Sequence, residues 1–176
     1  MRPIKNYDEV EAAGAFEKLP AGGYVIKITA VNDEPAKEYL KLTYDIAEGP
    51  EAGRYKDEEN EWRHSFIRSY KETALSMFKA FTVAVDRSNG TSFTEQIAKG
   101  WNEQTLVGKI LGVVIGYEEY TANDGSVKEK TRIVTCLSAE KIRNGEFKIP
   151  ELKKLAPAGG APVEGFTPLT DDGIPF

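Results

Sequence analysis

With 176 residues, 40% of them apolar and 29% charged, the chain is long enough for one globular domain with appendages. No apolar run approaches the ~18 residues of a membrane span, and Met1-Arg2-Pro3-Ile4-Lys5 lacks the apolar block of a secretory leader, so a cytoplasmic protein is expected. A net charge of −5 argues against gripping duplex nucleic acid by positive potential alone, and the single cysteine, Cys136, excludes an internal disulfide and a cysteine-based metal site.

Residues 1–22 read as a lead-in segment, in which Asn6 can cap a short turn from Tyr7 to Ala13 before the break at Leu19-Pro20-Ala21-Gly22-Gly23. From Tyr24 to Val31, Tyr24, Ile26, Ile28 and Ala30 alternate with Val25, Lys27, Thr29 and Val31, the period of two that marks a first strand. After the turn Asn32-Asp33-Glu34-Pro35, a second strand places Leu40, Leu42, Tyr44 and Ile46 on one face and Tyr39, Lys41 and Thr43 on the other. Glu48 to Gly53 breaks it. Arg54, Tyr55 and Lys56 then lead into the acidic stretch Asp57, Glu58, Glu59 and Glu61, read as a mobile connection. Trp62 to Ser69 is the expected third strand, with His64 as a hydrogen-bonded structural residue.

At Lys71 the period changes. Ala74, Leu75, Met77, Phe78, Phe81, Thr82 and Val85 follow helical spacing over about 15 residues, and Asp86-Arg87-Ser88-Asn89-Gly90 ends the helix with turn chemistry. A second short helix, Ser92 to Gly100, groups Phe93 and Ile97 with a core Trp101. Leu106 to Tyr117 is a β-branched run punctuated by Gly108, Gly112 and Gly116, a largely buried fourth strand whose glycines suit the bending of a small closed sheet. The Asp124-Gly125 turn joins it to a fifth strand, Val127 to Ser138, which aligns Lys128, Lys130 and Arg132 on one face, near Tyr117 and Tyr120, and carries Cys136 as a small buried side chain. A short helix, Ala139 to Asn144, follows.

Residues 156–170 hold three Pro, three Gly and three Ala with one charge, Glu164, which is linker composition. Behind it stand Asp171-Asp172-Gly173-Ile174-Pro175-Phe176: two carboxylates, a stiff Pro175, and a terminal aromatic beside its own α-carboxylate. Such a peptide suits a partner pocket with an apolar hole and a basic rim. This ending resembles the acidic Ile-Pro-Phe tail of bacterial and phage single-stranded DNA-binding proteins, of a phage or prophage type. The resemblance implies a DNA-coating protein active in replication and recombination, commonly oligomeric, that recruits partner enzymes through Asp171, Asp172, Ile174, Pro175 and Phe176. Gly173 stands where the family often has a further Asp, which shifts the weight of recruitment to Ile174 and Phe176.

The order of elements agrees independently: three strands, a helical connection, then a two-stranded hairpin. That is the order of a mainly β, five-stranded oligonucleotide-binding barrel (OB-fold) over residues 23–155, with the helix between strands 3 and 4, and a binding face on strands 2 and 3 and the loops after strands 1 and 4. Sequence-independent binding of single strands needs rings on which bases stack and cations that follow the phosphates. The candidates are Tyr39, Tyr55, Trp62 and Tyr120 for stacking, and Lys41, Arg54, Arg63, Lys109, Lys128, Lys130 and Arg132 for phosphates. Two other classes compete. The four carboxylates of residues 57–61 could be nuclease metal ligands, although no second acidic cluster on a strand completes a two-metal site. Alternatively the tail and an apolar barrel surface make a protein-only adaptor. With His64 the only histidine and no phosphate-cradling Gly-rich loop, no catalytic residue, cofactor or metal is expected.

Overall fold

The computed structural model describes residues 17–156. The expected turn at Tyr7–Ala13, the linker after Ala156 and the tail from Asp171 to Phe176 lie outside the described residues. Five strands form one antiparallel sheet: β1 (Gly22–Glu34), β2 (Tyr39–Ile46), β3 (Ser65–Ser69), β4 (Ile110–Thr121) and β5 (Val127–Leu137). Their spatial order is β3-β2-β1-β4-β5, so β1 lies at the centre and β3 and β5 are the edges. The helix α1 (Leu75–Asn89) connects β3 to β4, followed by one turn of helix, α2 (Phe93–Gln96), while α3 (Ala139–Arg143) follows β5. The fold is mainly β with its helix between the third and fourth strands, an open sheet with OB-like strand order.

Alternation dictates most of the core. Leu40, Leu42, Tyr44 and Ile46 of β2 turn inward with Phe66 of β3 and Leu111, Val113 and Ile115 of β4. Phe78, Phe81 and Val85 of α1 complete this cluster, and α1 packs against β3, β4 and β5. The edge strands approach each other under it, where Arg68 on β3 donates to Cys136 Sγ on β5 at 3.0 Å. Cys136, expected to be buried, is only partly buried and packs against the core. Trp101 likewise packs on the core, 5.6 Å from the Phe93 ring.

Several expectations are corrected. In β1 a bulge between Ile28 and Ala30 shifts the alternation, so Val31 rather than Ala30 joins the core. The fourth strand starts at Ile110, not Leu106, because Asn102 accepts from the Gln104 amide and caps a 3-10 turn, Glu103–Leu106. It also runs on to Thr121. Gly112 and Gly116 have ordinary φ values and serve close approach rather than bending. A Cβ on Gly112 would lie 2.5 Å from Ile142 Cγ1, and one on Gly116 2.5 Å from Pro150 Cγ. The chain after β5 thus folds back across the outer face of β4, where Val25, Val114, Ala139 and Ile142 form a second small cluster. Residues 153–155 then run beside the end of β4: Lys153 donates to Tyr117 O (3.0 Å) and accepts from Glu119 N (2.9 Å).

Candidate nucleic-acid interface

Strand β3 begins at Ser65, and the residues before it form a 3-10 turn, Glu61–Arg63, instead of the strand expected from Trp62. The turn swings Trp62 out of the sheet, 73% exposed. The next residues alternate as a strand should: His64, Phe66 and Arg68 face inward while Ile67 is exposed. His64 is structural, its Nδ1–H donating to Tyr44 O at 2.7 Å.

At the mouth between this turn and the β4–β5 hairpin lies a groove of about 560 Å³, bordered by Trp62 and Arg63 on one bank and Tyr120 and Lys130 on the other. Lys18, Leu19 and Tyr55 line it as well, with Glu129 and Thr131 of β5. Each bank carries a cation beside a ring. The Arg63 guanidinium sits 5.2 Å from the Trp62 centroid and Lys130 Nζ 5.7 Å from that of Tyr120, and both rings are exposed, Trp62 the more so. A smaller cleft adjoins the groove where Trp62 and Arg63 meet Thr131 and Arg132 across the gap between β3 and β5. Five of the expected residues, Tyr55, Trp62, Arg63, Tyr120 and Lys130, therefore line the groove, Tyr55 as a buried side chain, with Arg132 in the adjoining cleft.

Tyr39, Lys41, Arg54, Lys109 and Lys128 lie elsewhere. Tyr39 and Lys41 share the outer face of β2, as the alternation predicts, and Lys41 stands opposite the exposed Ile67 of β3. Lys109 does not line the groove; its carbonyl accepts from the Ile28 amide at 2.9 Å. Lys128 pairs with Asp124 in the hairpin loop at 3.6 Å. Tyr55 is a correction: at 4% exposure it belongs to the core, its ring stacked on His64 at 5.1 Å and set edge-on to Tyr44 at 5.8 Å, so it cannot offer a face to a base. Tyr117, expected near the strand-5 cations, points to the opposite face and donates to Leu19 O at 3.0 Å.

The acidic stretch is also corrected. Glu58 and Glu61 are held rather than left in a mobile connection, Glu58 by Arg63 at 2.7 Å and Glu61 by Lys41 at 2.7 Å. The Asn60 amide first and Arg63 next hold the Glu58 carboxyl below its ordinary range, and Lys41 does the same for Glu61. Because these two carboxylates turn to separate cations, they do not converge as a shared metal site would require, and among the described residues no group of three His, Cys, Asp or Glu side chains does. Arg54 pairs with Glu51 at 2.5 Å and also donates to Glu17 O.

Glu118 is the residue that sequence reasoning missed. It faces Lys130 directly across the β4–β5 ladder, and its carboxylate binds Lys130 (3.3 Å), Arg132 (2.9 Å) and Lys153 (3.4 Å). Its pKa is lowered, chiefly by the Arg132 hydrogen bond. A fourth strand ending at Tyr117 leaves it out; one further residue of the strand places it opposite Lys130. The electrostatic result is a poised but neutralised surface, since Lys41, Arg54, Arg63, Lys128, Lys130 and Arg132 each hold a carboxylate. Among the described residues, no helix is long and apolar enough to cross a membrane. No curated protein matches the chain. Residues 5–133 match the family described as "Protein of unknown function (DUF669)", a span that takes in every residue of the groove, and the chain belongs to that family.

Proposed function

We propose that this protein binds single-stranded DNA without sequence preference and without catalysing a reaction, coating it in the cytoplasm during replication or recombination. The observation that carries the reading is the groove: an open mouth with Trp62 and Tyr120 on opposite banks and Arg63 and Lys130 beside them, on a sheet of OB-like strand order. Stacked bases contribute on the order of 1–3 kcal/mol each, and the cations track phosphates. Phosphates engaged by these cations release their condensed counterions, so binding weakens as salt rises, and the carboxylates freed in the exchange take some of those counterions up. The tail, Asp171 to Phe176, recruits partner enzymes, and its tether raises their concentration at the DNA. The protein acts as a homo-oligomer, as the resemblance of its tail implies.

A fluorescence titration of the full chain with labelled oligo-dT tests the reading. Saturable binding at low salt that weakens sharply as salt rises is expected; absence of binding at low salt overturns it. The prior neutralisation of the cations favours a second reading, an adaptor that binds proteins alone, and that same absence of binding would leave it standing.

A further inference from the structure

We infer that Glu118 is a built-in competitor of the nucleic-acid phosphates, one that withholds Lys130 and Arg132 and thereby sets the affinity of the groove; this inference rests on the single-stranded DNA reading. Glu118 projects from the outer face of β4 and meets Lys130 from the facing residue of β5 and Arg132 from two residues further on. Both cations stand on the β5 edge beside the groove and its adjoining cleft, the position from which they would reach a backbone running between Trp62 and Tyr120. A carboxylate and a phosphate compete for the same N–H donors, and a guanidinium engaged by one has fewer left for the other. The third partner makes the arrangement more than an ordinary cross-strand pair. Lys153 is fastened by its backbone to Tyr117 and Glu119, which keeps its side chain within reach of Glu118, the ammonium standing at 3.4 Å, and leaves the carboxylate a cation when phosphates draw Lys130 and Arg132 away. Exposed ion pairs contribute little singly. The carboxylate side chain, however, is only 24% exposed and binds three cations at once.

The test compares wild type with Glu118→Gln and Glu118→Asp, using oligo-dT anisotropy at low salt and thermal unfolding to verify the fold. Glu118→Gln keeps the shape and removes the charge, and should bind about three- to tenfold tighter. Glu118→Asp, charged but one methylene shorter, should fall between. The gain should vanish when Lys130 and Arg132 are both replaced by Gln, a dependence that a merely structural role for Glu118 would not produce. If wild type binds and folded Glu118→Gln binds equally or more weakly, or if its gain persists without the two cations, the inference is overturned while the binding reading stands. If wild type fails to bind at low salt, the reading itself falls and takes the inference with it.

Discussion

Two polar regions of this molecule, the seam where the end of α1 meets α2, β4 and α3 and the mouth of the groove, use similar side chains to opposite ends. At the seam, Asp86 accepts from the Phe93 amide (2.7 Å), the Thr94 amide (2.9 Å) and the Thr91 and Thr94 hydroxyls. Ser88 accepts from the Ala139 amide at 2.9 Å, and Asn89 exchanges two hydrogen bonds with the backbone of Ile110, 2.7 and 3.1 Å. These partners are mostly backbone groups of other elements, partly buried, and none can be swapped for a ligand without unpairing the scaffold. At the mouth, Arg63, Lys130 and Arg132 pair instead with side-chain carboxylates. Their partners are side chains rather than the backbone of other elements, so phosphates can replace them without unpairing the scaffold. Polar density alone does not mark a site; exchangeability does.

That contrast can be broken by substitution. The largest effect is expected under the seam, where Phe81 is fully buried between Phe66 and Phe78: Phe81→Ala should cost about 3–5 kcal/mol of stability, read by denaturant unfolding. Asp86→Ala should cost about 2 kcal/mol by the same measurement, with oligo-dT affinity per folded molecule unchanged.

Asp86 also gives the seam an acid dependence. Partial burial would raise its pKa, but hydrogen bonds from Thr94, Thr91 and the Phe93 amide outweigh burial and lower it. A carboxyl whose folded pKa lies below its unfolded one stabilises the fold above the unfolded value and loses that contribution as pH falls through the folded one. Wild type should therefore lose stability below about pH 4, and Asp86→Asn should show a shallower acid slope in the same window. The smallest effect on stability belongs to the mouth. Trp62→Ala should change unfolding by less than about 0.5 kcal/mol, because the ring is 73% exposed, yet weaken oligo-dT binding by about 5- to 150-fold. Equal loss of stability and binding in that variant would erase the distinction between the two regions.

Much of the fold is legible in the amino-acid sequence. The second strand, the 15-residue helix, the Asp124-Gly125 hairpin and the order of elements all follow from local periodicity and turn chemistry, because each is decided by neighbours within a few residues. The facing of Tyr39 and Lys41 away from the core follows from the same alternation.

What the chain alone could not supply is set by contacts distant in sequence. Asn89 reads as a turn residue and is instead a clamp on Ile110, 21 residues later. Tyr55 and Trp62 look equivalent as aromatic residues flanking an acidic stretch, yet one is stacked on His64 in the core and the other stands in solvent. The acidic residues between them read as a loose loop until Lys41 and Arg63 arrive to hold two of them. Composition and period therefore determined that this is a mainly β fold with a helix inserted after its third strand. Only the tertiary structure decided which rings remain open and which cations are already engaged, because both depend on what the fold brings alongside them.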